Sequence, residues 1–252
     1  PPAIVVKIKT GDKLDWATDE NDINNLLIWM QTKLNIKFSY TEKSLTELEL
    51  DAERLPLLYR TGHNAFSFTP AERERLREYL LKGGFMVFDT CCGRKEFADS
   101  VRKEMAEIFP ERPLEKLPSD HPIYRCYYDV PLVRLTPAAG VSGAVPPPLE
   151  GIDIGCRTAV VFCPLDMSCG WDMHTHKACA GIQSEDALKI GANLIAYATA
   201  TKAMGHSLAE SRVYMDPDRS KADKFRIGQV MHNGQWNPDP AGLSTLLDTV
   251  NA

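Results

Sequence analysis

Residues 83–97 read GGFMVFDTCCGRKEF: two glycines, an apolar run ending at Asp89, two adjacent cysteines, and then a charged stretch. A short run that is apolar at every position predicts a strand buried on both faces, the kind found where helices cover both sides of a parallel sheet. The charged stretch opens a helix over about Glu96 to Phe109, in which Phe97, Val101, Met105 and Ile108 recur on one face. Upstream, Thr69, Pro70 and Glu72 supply an N-cap, a first-turn proline and a capping-box acid, and Gly83-Gly84 close that helix. A helix, a buried strand and a second helix in direct succession predict an α/β fold.

The same alternation extends in both directions. AIVVKIKT (3–10) reads as a first strand, and a helix follows in which Ile23, Leu26, Leu27, Met30 and Leu34 share a face, with Thr18 or Asp19 at its cap. IKFSY (36–40), LPLLYRTGH (55–63) and TAVVFC (158–163) read as further strands, and a last helix runs from Ser184 to about Ala203. Residues 110–150 are Pro-rich, carry only short extended segments, and read as an insertion or lid. The expected architecture is a three-layer α/β sandwich with a mostly parallel central sheet, occupying residues 1–224. WNPDPAGLSTLLDTV from Trp236 aligns without gaps on WATDENDINNLLIWM from Trp16, pairing Asp239 with Asp19 and Leu246-Leu247 with Leu26-Leu27. Residues 225–252 therefore read as a partial repeat of the first strand and helix, suited to tandem-domain or homo-oligomer pairing.

Composition narrows the function. At 252 residues and 44% hydrophobic content the chain can bury a full core, and 29 basic against 34 acidic residues give a net charge of -5. No basic field is present to hold nucleic acid, and no apolar stretch spans a membrane, leaving a small molecule or a protein as partner. Seven cysteines are many for an ordinary enzyme and few for a disulfide scaffold, and none of their spacings is C-x-x-C. The opening Pro1-Pro2 suits a processed or trimmed chain.

In parallel sheets ligands bind beyond the carboxyl ends of the strands. His63 follows one predicted strand, Asp89, Cys91 and Cys92 follow another, and Cys163 to Cys169 follow a third, so neighbouring strands would gather them in one crevice. Cys91 and Cys92 there suit a nucleophile, metal thiolates, a redox pair, or small side chains packing where strand meets helix. Asp89 would orient a ligand or histidine, or cap the helix; His63 would be a base or ligand, or bond a loop carbonyl. His121, in SDHPIY, either closes over the crevice or ends a turn. A second cluster, CPLDMSCGWDMHTHKAC, holds Cys169, His174, His176 and Cys179, a mix of soft and borderline donors that favours a transition metal, zinc or copper. Incidental loop composition is the alternative.

Four stretches, DWATD, LLYRTGHNAFSFTPAERERLREYLLKGGFMVFDTCCG, FADSVRKEMAEIFPERPLEKLPSDHPIY and MSCGWD, together resemble a bacterial family of domains of unknown function. Its members occur in envelope-associated or multidomain chains, and its fold is similar to the class I glutamine amidotransferases, a flavodoxin-like α/β arrangement. The resemblance implies a periplasmic or cell-envelope setting and a reactive cysteine on the sharp turn between strand and helix, where Cys91 and Cys92 stand. The chain departs from that pattern in lacking the superfamily's His-x-Glu partners: the matching region offers His174 and His176 without a glutamate two residues on, and His206 and Glu210 lie four apart. The expected function is therefore a non-catalytic domain that binds a small ligand or a protein. The alternative is a metal-dependent or cysteine-thiol enzyme using His63, Asp89, Cys91 and Cys92.

Overall fold

The computed structural model describes residues 3–10, 13–35, 37–51, 57–174 and 176–211, with positions 242, 245 and 246. The chain divides into two compact units, Pro1–Lys202 and Ala203–Ala252. Apart from those three positions, the partial repeat at 225–252 lies outside the described residues.

The first unit opens with β1 (Ala3–Lys9), the short helix α1 (Lys13–Trp16), α2 (Asp22–Leu34), β2 (Ser39–Ser44) and β3 (Leu57–Gly62). It continues with α3 (Pro70–Leu81), β4 (Met86–Thr90), a single 3-10 turn at Cys91–Gly93, and α4 (Lys95–Ile108). Then come β5 (Glu115–Lys116), β6 (Val133–Arg134), β7 (Ala144–Val145), β8 (Glu150–Ile154), β9 (Arg157–Cys163), α5 (Ser168–Trp171) and α6 (Ser184–Ser211), which belongs to this unit as far as Lys202. Seven strands form one mixed sheet in the order β2-β1-β3-β4-β9-β8-β5, while β6 and β7 pair separately. The five from β2 to β9 are parallel; β8 and β5 add an antiparallel edge.

Strand alternation distributes the core. Val5, Tyr59, Val87 and Val161 face α2 and α6 on one side. Leu58, Met86, Phe88, Val160 and Phe162 face α3 and α4 on the other. On α4 the expected face of Phe97, Val101, Met105 and Ile108 is buried, each such side chain contributing roughly 1.5–3 kcal/mol. α3 begins as its sequence dictates, Thr69 Oγ1 accepting the Glu72 N–H and the Glu72 carboxylate accepting the Thr69 N–H at 2.8 Å.

Two local expectations need correction. Neither Thr18 nor Asp19 caps α2, whose N-cap is Asn21, because the chain first turns through α1. Of the run expected at 36–40, Ile36 lies outside the described residues; the strand starts at Ser39 and is half-exposed along most of its length, an edge strand with no continuous apolar run to announce it. β8 precedes β9 as a hairpin arm across the two-residue loop Gly155-Cys156. The Pro-rich segment also joins the main core, burying Ile123, Tyr124, Val130, Val133, Leu135 and Leu149 in the cluster that contains α2 and α6.

Candidate functional site

Because β1, β3, β4 and β9 are parallel neighbours, the loops after their carboxyl ends converge on one edge of the sheet. β1 delivers Asp15 and Asp19 through α1, β3 delivers His63, β4 delivers Asp89 to Cys92, and β9 delivers Cys163 to Cys179. The turn after β4 is sharp: Cys92 sits at φ 56° and ψ 13°, in left-handed backbone that a side-chain-bearing residue adopts at a cost, and Gly93 follows at φ 67°. A Cβ at position 93 would stand 2.9 Å from the Ala180 carbonyl, so glycine is what lets the β9 loop close over this turn.

Two buried acids hold the loops in register. Asp89 accepts the backbone N–H groups of Met167 at 2.8 Å and Ser168 at 3.0 Å, fixing the start of α5. Asp166 accepts the Cys169 N–H at 2.8 Å and the Ser168 hydroxyl at 3.1 Å through Oδ1, and the Cys92 N–H and the Cys179 thiol through Oδ2. Burial, joined by their mutual repulsion for Asp89, raises the pKa of both carboxyls. At the mouth of β3, Asp15 Oδ1 accepts the His63 and Asn64 N–H groups at 2.7 and 2.9 Å.

Around this scaffold the sulfurs gather. Cys91 Sγ lies 3.3 Å from Asp19 Oδ2 and 3.8 Å from Cys92 Sγ; Cys169 Sγ lies 3.6 Å from Asp19 Oδ1. Cys92 Sγ lies 3.0 Å from His176 Nε2. One donor atom from each of Cys92, Cys169, His176 and Cys179 falls within 4.8 Å of the others, and the same holds for Cys91, Cys92, Asp166 and Cys169. Hydrogen bonding from Cys169, then from Cys179 and Cys91, pushes the Cys92 thiol far below its ordinary pKa, so the thiolate forms first there. Hydrogen bonding to Cys92 in turn raises the His63 pKa.

The structure thus brings Cys91, Cys92, Asp89, His63, Cys169, His176 and Cys179 to one edge. It does not bring His121, which hydrogen-bonds Thr158 Oγ1 at 2.9 Å at the amino end of β9, packs against Tyr124 and Tyr197, and has its pKa lowered by burial. His174 is exposed, with its ring centroid 5.8 Å from that of His176, and stands outside both donor groups. It lines a cavity of about 400 Å³ with Arg134, Cys169, His176, Cys179 and Gln183. Sequence reasoning overlooked Asp166, and read Asp19 only as a helix cap. Their signal was position: Asp166 falls three residues after Cys163 and three before Cys169, and Asp19 ends the DWATD motif.

These features define an α/β domain with a cysteine, histidine and aspartate cluster at the carboxyl edge of its sheet. The chain belongs to the family described as Domain of unknown function (DUF4159), whose model matches residues 4–199. A comparison with curated proteins gave no match.

Proposed function

We propose that this domain binds a transition metal of the zinc class through Cys92, Cys169, Cys179 and His176, and uses the fixed crevice to bind a small molecule or a protein segment. The observation that carries the reading is the convergence of three sulfurs and an imidazole nitrogen within 4.8 Å, from two loops that only the fold brings together. Three thiolates and one imidazole suit tetrahedral zinc, and copper(I) shares the preference for soft sulfur. Four protein donors close the coordination sphere, which supports a binding role and agrees with the missing His-x-Glu pair. On binding, the three thiol protons leave to solvent and each sulfur gives a lone pair to the metal. The cavity beside His176 and Cys179 is the space a ligand would occupy.

A second reading has its own support. The left-handed backbone of Cys92, its depressed pKa and its position between strand and helix suit a thiol nucleophile, with His176 or His63 as the base and an amidotransferase-like ancestry behind the turn. The two readings part on protein purified without chelator. Metal binding predicts about one or more zinc-class ions per chain, with Cys92, Cys169 and Cys179 resisting alkylation until a chelator is added. Metal-free protein in which Cys92 alone alkylates rapidly would overturn it in favour of the nucleophile.

A further inference from the structure

The two donor groups are not separate: Cys92 and Cys169 belong to both. Removing the shared pair leaves His176 and Cys179 on one side and Cys91 and Asp166 on the other. Each remainder, combined with the two shared sulfurs, makes a set of four donors. We infer that this edge of the sheet holds two metal ions bridged by the Cys92 and Cys169 thiolates, one completed by His176 and Cys179, the other by Cys91 and Asp166. The inference rests on the metal-binding reading proposed above.

Three observations point to the second ion independently of the first group. Cys91 takes no part in the Cys92, Cys169, His176, Cys179 set, yet it is 1% exposed and directs its sulfur at the Cys92 sulfur, 3.8 Å away, and at the Asp19 carboxylate, 3.3 Å away. That sulfur separation is close to the ~3.8 Å that two thiolates keep across a tetrahedral zinc with bonds of about 2.3 Å. Asp19 is 6% exposed, and among the described residues its carboxylate meets the thiols of Cys91 and Cys169. Finally, Asp19, Asp89 and Asp166 are all buried at this edge, and among the described residues none of the three forms an ion pair with a lysine or arginine. Buried carboxylates without an ion-pair partner either hold a proton or are joined by a cation, and a bound metal is such a cation.

Charge balance accommodates the second ion. Ligands ionise as metal binds, so the first ion draws the thiolates of Cys92, Cys169 and Cys179 and leaves the site with one net negative charge. A second divalent ion, met by the Cys91 thiolate and the Asp166 carboxylate, adds two positive and two negative charges and leaves that balance unchanged, with Asp19 as an outer acceptor. Bridging thiolates make this compact, since each shared sulfur donates a lone pair to both ions and no further ligands are required.

The test uses the full chain loaded with an NMR-active isotope of cadmium, which takes thiolate sites as zinc does and reports its neighbours. Two resonances, each split by the other through the shared sulfurs, and two metal ions per chain by native mass spectrometry are expected. Cys91→Ser should then retain one ion and show one unsplit resonance. Two unsplit resonances would overturn the bridge. One ion per wild-type chain, unchanged in Cys91→Ser, would overturn the second ion while leaving the single-site reading intact. Metal-free protein would overturn both. If Cys91→Ser fails to fold, the splitting in the wild-type spectrum decides alone.

Discussion

Cys92 carries two conflicting demands, a sulfur wanted at the centre of the cluster and a backbone angle that glycine would hold more comfortably. Cys92→Gly and Cys92→Ala both remove the sulfur, but only alanine keeps the strain of φ 56°. In urea unfolding of metal-free protein the glycine variant should exceed the alanine variant by about 1 kcal/mol. Equal stabilities would mean that the turn relaxes without the thiol. Elsewhere, Lys7 and Asp22 form a fully buried pair at 2.7 Å, joined by the Tyr59 hydroxyl at 3.3 Å. Burial outweighs the attraction of Lys7 and raises Asp22 to a pKa of about 6. A carboxyl with a raised pKa contributes stability that is full below its unfolded pKa of about 3.9 and is lost as pH climbs through 6. Lys7→Met should deepen that loss, costing about 3–5 kcal/mol at neutral pH and less near pH 5, where Asp22 can take up a proton. A cost independent of pH would contradict the assignment.

At the scale of elements, the β4–α4 turn and the β9 loop form one unit, and Gly93 is where they touch. Gly93→Ala places a methyl 2.9 Å from the Ala180 carbonyl at φ 67°, so it should destabilise by more than about 1 kcal/mol and lower the bound metal, read as ions per chain. Thr69→Ala is the matched control. It opens the capping box of α3, remote from the cluster, and should cost about 0.5–2 kcal/mol with metal content unchanged. Legibility in the sequence also divides by element. α3 and α4 were readable because their signals are local: a cap, a proline, and an apolar face repeating every three to four residues. β2 and β8 were not, because an edge strand needs few apolar residues and Glu150–Ile154 mixes acids and glycine with two isoleucines. The site followed the same rule. Cys169, His176 and Cys179 lie within one loop and could be grouped by proximity. Cys92 joins them from 77 positions before Cys169, through the pairing of β4 with β9, which no local pattern encodes.

For the whole molecule, the cluster ties the loops of β1, β4 and β9 together, so metal should act as part of the fold. A chelator should lower the midpoint of thermal unfolding by roughly 6–12 °C, taking about 3 kcal/mol of linkage at saturating metal and 2–4 °C per kcal/mol for a chain of this size. The shift should reverse on adding zinc back; a midpoint indifferent to chelator would mean the ion contributes nothing to stability. The family match over residues 4–199 spans every residue of the cluster. The most direct measurement is X-ray absorption at the metal edge on full-length protein purified without chelator. The expected first shell is dominated by sulfur at about 2.3 Å with a nitrogen or oxygen contribution near 2.0–2.1 Å. A first shell of oxygen and nitrogen alone, or no metal to measure, would contradict metal binding by Cys92, Cys169, Cys179 and His176.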